Sequence, residues 1–343
     1  MGTCAGKYAG WVDADEHAGG EIAPDPLTAI NREGTMEHTP VMVSEVLDHL
    51  LHENSRIILD GTVGAGGHAE ELLGRRPGVR LIGVDRDPTA LRLAGDRLAR
   101  FGDRVRLVHG VFSDFSGVLG TGERVDGVLL DLGVSSMQLN YPERGFSHST
   151  AGLLDMRMDR AGTTARQWLE SADEAEIAVT LRRNGEVRRA RRIARSIKDA
   201  ARAGELETTA GLRAAVERVL GPTASVGELS RVFQAVRIRV NDELGMLDRF
   251  LEGIIDRVNV GGRIVIISYH SLEDRAVKSF FKLQSATCVC PPGSPICFCA
   301  HSPALRVLTR RVVKPSAQEV AANVRSRSAR LRAAEVITNG REQ

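Results

Sequence analysis

Asp60-Gly61-Thr62-Val63-Gly64-Ala65-Gly66-Gly67-His68 is the stretch on which the fold turns. It follows a short apolar run, Arg56–Leu59, and opens a segment, His68–Leu73, that reads as a helix. Strand, glycine-rich turn and helix in direct succession begin a βαβ unit. Glycines let the backbone turn sharply and lie close to a ligand, and the free N–H groups of a helix start favour polar or anionic groups. Downstream the alternation continues with a strand at Arg80–Val84 closing on Asp85, a helix at Pro88–Phe101, a strand at Val105–His109 and a strand at Val125–Leu130 closing on Asp131. Upstream, Val41–Leu51 carries apolar residues at helical spacing. Apolar strands alternating with helices predict an α/β fold on a mainly parallel sheet with helices on both faces.

The alternation breaks after Gly133. From about Arg144 to Val236 the pattern is helical without a convincing strand. It resumes with a helix at Glu243–Val258, Gly261-Gly262, a strand at Arg263–Ser268 and a helix at Leu272–Lys282. A loop rich in Cys and Pro follows, then strands at Leu305–Val312 and near Ala329–Val336. The expected organisation is a discontinuous domain of residues 36–143 and 237–343, interrupted by a helical insert of residues 144–236. Residues 1–35, rich in Gly, Ala and Asp and without periodicity, read as a disordered extension.

At 343 residues, 42% hydrophobic and 26% charged, the composition is that of a soluble globular chain. No run approaches the roughly 18 apolar residues of a membrane span, and the N-terminus lacks the apolar core of a signal peptide. A cytoplasmic protein that touches no membrane is expected, with monomer and homodimer both open. The net charge is only +2, yet Leu181–Arg202 holds eight Arg and one Lys against Glu186 and Asp199, a local +7. Phosphate contacts dominate nucleic-acid affinity, and the guanidinium fork suits phosphate, so this segment is the candidate RNA face. Four of the five cysteines, Cys288, Cys290, Cys297 and Cys299, fall within twelve residues. In a reducing compartment that grouping points to a structural zinc rather than to disulfides.

Asp85 lies about 20 residues beyond the glycines, the spacing at which an acid meets ribose hydroxyls. An adenosine-bearing cofactor follows, with NAD and S-adenosylmethionine both open. Gly64 to Ala69 fits the dinucleotide pattern G-x-G-x-x-A. Against NAD, His68 stands where a pyrophosphate needs small-residue packing, and Asp60 suits a cationic amino-acid moiety better than a diphosphate.

Longer motifs stand in order along the chain: His38-Thr39-Pro40-Val41, the Asp60–His68 turn, Gly83-Val84-Asp85-Arg86-Asp87-Pro88, Leu129-Leu130-Asp131-Leu132-Gly133-Val134-Ser135-Ser136, Glu143-Arg144-Gly145-Phe146-Ser147, Leu154-Asp155-Met156-Arg157-Met158-Asp159, Phe233-Gln234-Ala235-Val236-Arg237-Ile238 and Ile267-Ser268-Tyr269-His270-Ser271-Leu272-Glu273-Asp274-Arg275. From about Glu37 to the C-terminus the chain resembles the ribosomal RNA small subunit methyltransferase H family. The resemblance implies a class I, Rossmann-like methyltransferase with an inserted helical domain. It implies methyl transfer from S-adenosylmethionine to N4 of a cytosine in the decoding region of 16S ribosomal RNA, on free RNA or on the small ribosomal subunit. The implied cofactor contacts are Gly66, Gly67, His68, Asp85, Phe112, Asp131 and Gln138.

The cytosine amino lone pair is conjugated into the ring, so a group accepting its N–H would raise its electron density. Asp131 is the candidate for that role, with Ser135 and His270 as candidate substrate-facing groups. No Pro-Pro-Tyr follows Asp131, so a stacking aromatic would come from Tyr141, Phe146 or Tyr269. The competing readings are an NAD-dependent oxidoreductase, against which the Arg-rich segment speaks, a non-enzymatic RNA-binding factor, and a methyltransferase acting on DNA or a small molecule.

Overall fold

The computed structural model describes residues 40–134, 141–221, 225–291, 293–294 and 296–338. The segment expected as a disordered extension, 1–35, lies outside them.

Seven strands form one sheet in the order β3-β2-β1-β4-β5-β7-β6: β1 Ile57–Asp60, β2 Arg80–Asp85, β3 Val105–His109, β4 Val125–Asp131, β5 Val258–Ser268, β6 Leu305–Val307 and β7 Arg330–Val336. The first five run parallel, whereas β7 lies antiparallel to both β5 and β6. The fold is the Rossmann-like, mainly parallel α/β architecture expected, with an antiparallel edge added by the C-terminal strands.

Strand residues alternate between two apolar layers, as a pleated sheet covered on both faces requires. Ile58, Leu129, Val265 and Ile267 face one layer, formed with helices α1 Val43–Leu50, α2 Gly67–Arg75 and α3 Pro88–Leu98. Leu59, Val128, Leu130, Ile264 and Ile266 face the other. That second layer is completed by the short helix α4 Phe115–Val118, by α10 Glu243–Ile254 and by α11 Ser271–Gln284. A third apolar cluster consists of residues between Phe146 and Val236. Its helices are α5 Ala165–Ser171, α6 Glu174–Gly185, α7 Ala190–Arg202, α8 Thr209–Leu220 and α9 Val226–Asn241. A last short helix, α12 Ala317–Ala322, precedes β7.

Strand β6 is shorter than the apolar pattern of Leu305–Val312 predicts. The N–H groups of Leu308 and Thr309 both turn to the Ala333 carbonyl, at 2.9 and 3.3 Å. Thr309 Oγ1 then accepts the Ala333 N–H at 2.9 Å, so a side chain takes the place of a ladder carbonyl. Pairing resumes only as a bridge between Val313 and Leu331. Conversely, β5 begins five residues before the expected Arg263, because the strand passes through Gly261 (φ 83°) at a register shift against β4.

The chain runs outward from β1 through β2 to β3, then returns to place β4 on the other side of β1. The order therefore reverses between β1 and β4, and in such sheets ligands lodge outside the carboxyl ends of the strands at that reversal. Asp60 closes β1 and Asp131 closes β4.

Candidate active site

Topology alone brings three carboxylates to one sheet edge, since Asp60, Asp85 and Asp131 end β1, β2 and β4. The glycine-rich turn is laced to them. Gly64 (φ 53°) donates its N–H to Asp85 Oδ2 at 2.9 Å, and Asp87 N–H donates to Asp85 Oδ1 at 2.9 Å. Asp60 Oδ1 accepts the Thr62 N–H at 3.1 Å, and Thr62 Oγ1 accepts the Asp131 N–H at 2.7 Å. Gly66 caps α2 in the left-handed region (φ 83°), where a Cβ would also press on Leu98 at 3.3 Å. A Cβ on Gly67 would meet Pro40 at 3.2 Å. Gly66 thus serves the turn's own backbone conformation, and Gly67 packs closely on Pro40, whatever else the turn holds.

His68 is buried beneath the turn. Its Nε2 lies 2.8 Å from the Val41 carbonyl, which can only accept, so that nitrogen carries the proton. Nδ1 lies 3.7 Å from Asp131 Oδ2. Asp131 Oδ1 accepts the Tyr269 O–H at 2.8 Å. The Tyr269 ring packs over Gly133 (φ 102°), where a Cβ would lie 3.1 Å from the ring. Burial, and then the Asp131 charge, push the Tyr269 hydroxyl far above its ordinary pKa, so it stays a donor.

Burial pushes the Asp60 carboxyl up to about 7; the Asp131 and Asp85 charges push the same way, and His68 and the Thr62 N–H oppose. Burial also raises Asp85, to about 6, against the N–H groups of Asp87 and Gly64. Gathered and desolvated carboxylates of this kind favour a cationic ligand.

Phe112 sits beside the turn, edge-on to Phe250 with ring centroids 5.5 Å apart, and a Cβ on Gly61 would come within 2.8 Å of the Phe112 Cβ. Ser135 and Gln138 lie outside the described residues. His270 is buried. It caps α11, where Nδ1 accepts the Glu273 N–H at 3.3 Å and Glu273 Oε2 accepts the His270 N–H at 3.2 Å. Nε2 lies 3.1 Å from Glu273 Oε1 but off the line of its N–H, so it makes no hydrogen bond there. Arg237 binds Glu243 through two hydrogen bonds at 2.8 and 2.9 Å in the same buried cluster. Of the aromatic residues considered for stacking, Phe146 is buried in the helical cluster and Tyr269 is committed to Asp131.

Several family-like motifs prove to be joints rather than chemistry. Arg144, buried, donates to Asp87 Oδ2 at 3.1 Å and to the carbonyls of Arg157 and Met158 at 3.1 and 2.7 Å. Arg86 pairs with Asp159 and donates to the Asn241 carbonyl at 3.2 Å. Asn241 in turn bonds Met156 O and Met158 N at 2.7 and 2.8 Å. Sequence reading missed these links, and also Thr62 and the hydroxyl role of Tyr269. A signal for the latter existed, because Tyr269 directly follows β5, the neighbour of β4.

On the helical segment, α7 buries Ala190, Ile193, Ala194, Ile197 and Ala200 on one face. All eight arginines of Leu181–Arg202 are exposed. Arg195 and Arg202 have acidic neighbours at 3.5 and 2.9 Å, and Arg191 and Arg192 project from the opposite face to the core. The four clustered cysteines gather in the loop between α11 and β6.

The model of the MraW methylase family matches residues 35–337. A relative from Anaeromyxobacter sp. (strain Fw109-5), described as ribosomal RNA small subunit methyltransferase H, is 46% identical over 311 residues, covering 89% of this chain and 99% of its own. One from Heliobacterium modesticaldum with the same description is 45% identical, covering 88% of this chain and 98% of its own. Among solved structures, an rRNA methylase from Streptococcus thermophilus covers 86% of this chain and 94% of its own at 12% identity and a TM-score of 0.39.

Proposed function

The chain belongs to the MraW methylase family, and from that premise we propose that it transfers a methyl group from S-adenosylmethionine to N4 of a cytosine in the decoding region of 16S ribosomal RNA. The observation that carries this reading is the ring of strand-end carboxylates Asp60, Asp85 and Asp131 around the glycine-rich turn at the sheet's point of reversal.

The donor set fits that cofactor. Asp60, buried and desolvated, suits a cationic amino-acid moiety. Asp85, with one amide on each oxygen, has acceptor capacity left for ribose hydroxyls. Gly66, Gly67 and His68 shape the turn, Phe112 offers an apolar face for an adenine, and Gln138 completes the set. When bound, S-adenosylmethionine supplies an electrophilic methyl group together with its own leaving group. Asp131 accepts an N–H of the cytosine amino group, which raises the electron density on N4 and aims it. Tyr269 and Thr62 hold Asp131 in place for this. Ser135 and His270 complete the substrate side of the site, and the displaced proton passes to solvent.

Residues 144–236 form the RNA-binding insert within a catalytic domain of residues 36–143 and 237–343, and the exposed arginines of α7 meet the phosphates. Among the described residues no helix is long and apolar enough to cross a membrane, and with ribosomal RNA as substrate the place of work is the cytoplasm.

Cofactor affinity is expected to depend on pH with a definite sign. The Asp60 carboxyl titrates at about 7 in the free site. A cationic ligand favours the ionised form, so binding lowers that pKa and expels a proton wherever the free site holds one. Affinity is therefore full above about pH 7 and weakens below it, by up to about tenfold per pH unit. Asp85, raised to about 6, adds to the loss at lower pH. Calorimetric titration from pH 8 to pH 5.5 reads this directly, and an unchanged dissociation constant over that range would remove Asp60 from the cofactor's surroundings.

The function itself is tested with labelled S-adenosylmethionine and small ribosomal subunits from a strain lacking the modification. Label is expected as N4-methylcytidine. It is lost in Asp85→Ala, whereas Arg191→Glu/Arg192→Glu weakens subunit binding and lowers the salt slope by about 2. Cofactor binding without label on subunits or on free RNA would defeat the assignment.

A further inference from the structure

Residues 285–304 connect α11 to β6, with no regular element among the described ones. Connections longer than about 12–15 residues without secondary structure are uncommon in compact domains and need a reason to hold one shape. Hydrophobic burial does not supply it here. Ile296 and Phe298 are 77% and 73% exposed, and Val289 is also exposed. The base of the loop is closed by the Ala304 N–H on the Gln284 carbonyl at 2.8 Å and by His301 Nε2, 3.1 Å from the Leu283 carbonyl. Ala300, next to Cys299, is held in the left-handed region at φ 46°, which an alanine adopts only under outside constraint.

What lies at the centre of the loop is sulfur. Cys297 Sγ stands 3.6 Å from Cys288 Sγ, 3.9 Å from Cys290 Sγ and 3.6 Å from Cys299 Sγ, and Cys299 Sγ stands 3.8 Å from Cys288 Sγ. Disulfide sulfurs would be about 2.05 Å apart, so these are free thiols. Thiols are weak donors and weak acceptors, and four of them gain little from one another. A tetrahedral zinc with Zn–S bonds of about 2.3 Å sets its thiolates about 3.8 Å apart, which is the spacing observed. A polynuclear iron–sulfur cluster would spread the two cysteine pairs farther from each other. Main-chain N–H groups already point at the sulfurs: Val289 at Cys299, Cys290 at Cys288 and Phe298 at Cys290, each at 3.4 Å. Such donors spread the charge of metal-bound thiolates.

We propose that Cys288, Cys290, Cys297 and Cys299 form a closed, structural zinc site that fixes the loop between α11 and β6. The ion enters as Zn²⁺, the four thiols release their protons to solvent, and no electron is transferred. With four protein ligands the ion has no open position for chemistry. The site orders a segment that ends directly on the antiparallel edge of the sheet.

The full chain, purified under reducing conditions without chelator from zinc-replete medium, is expected to carry about one zinc per molecule by mass spectrometry. Titration of the thiols with a mercurial should release it. Cobalt loaded in its place should give the intense thiolate charge-transfer and tetrahedral visible bands of a four-sulfur site. Cys297→Ser, which removes the sulfur nearest the others, should lose the metal. In the wild-type chain, stripping the metal should open residues 285–304 to proteolysis while the far-ultraviolet signal of the sheet and helices persists. Less than about a tenth of a zinc per chain together with no cobalt spectrum, iron in place of zinc, or a mass showing disulfides among the four would overturn the proposal.

Discussion

Replacing Asp131 with asparagine is expected to lower the rate of methyl transfer about 10²–10³-fold, with S-adenosylmethionine affinity changed less than about tenfold. The substitution keeps the shape of the side chain and leaves an oxygen able to accept the Tyr269 hydroxyl now held at 2.8 Å. It removes the charge that draws density onto the cytosine amino nitrogen, and that charge matters most in the transition state. Tyr269→Phe separates placement from charge, because Asp131 stays ionised but loses a partner that fixes its orientation. A smaller loss, about tenfold, is expected there, and it should fall on the single-turnover rate rather than on cofactor binding. Rapid-quench single-turnover methylation on saturating subunits reads both variants. An Asp131→Asn enzyme within about threefold of the parent rate would move the amino-group acceptor to another residue.

Asp60, Asp85 and Asp131 were legible because nothing beyond local pattern and topology places them. A parallel strand that ends on an acid delivers it to the carboxyl edge of the sheet, and the order of strands decides which acids share the crevice. The glycine turn was legible for the same reason, since its positive φ values at Gly64 and Gly66 are local demands. The part that could not be read is made of contacts between residues far apart in the chain. Arg144 and Asp87 are 57 positions apart, Arg86 and Asp159 are 73, and Asn241 and Met158 are 83. Periodicity reports which face of an element is apolar and says nothing about which buried polar groups meet across elements. His270 illustrates the ambiguity from the other side. Its place after β5 suggested a substrate-facing group, whereas the capping box with Glu273 gives the ring a local structural task. The Ser-x-x-Glu pattern of a capping box is familiar at helix starts, but a histidine in the capping position does not advertise it.

Those long-range joints carry the second large expectation. Arg144→Met is expected to destabilise the chain by about 3–5 kcal/mol, the cost of stranding a buried partner charge. The Arg144 and Asp87 side chains are only 9% and 4% exposed, so water cannot replace the missing guanidinium. The carbonyls of Arg157 and Met158 lose their donor at the same time. Asp87 is also tied to the cofactor side, since its N–H holds Asp85 Oδ1 at 2.9 Å and its Oδ1 caps α3 through Thr89 N–H at 3.0 Å. An uncompensated Asp87 charge therefore disturbs both the helical segment and the acid proposed to take the ribose. Arg144→Met should weaken cofactor binding although Arg144 has no place in the cofactor set. Asp87→Asn in the Arg144→Met background removes the stranded charge while keeping an oxygen for the α3 cap, so part of the stability should return. Urea unfolding midpoints of the two single variants, the double variant and the parent give the coupling between the pair. A loss below about 1 kcal/mol in Arg144→Met, or strictly additive effects, would mean that the buried pair contributes no more than an exposed one and that apolar contacts alone hold the helical segment against the sheet.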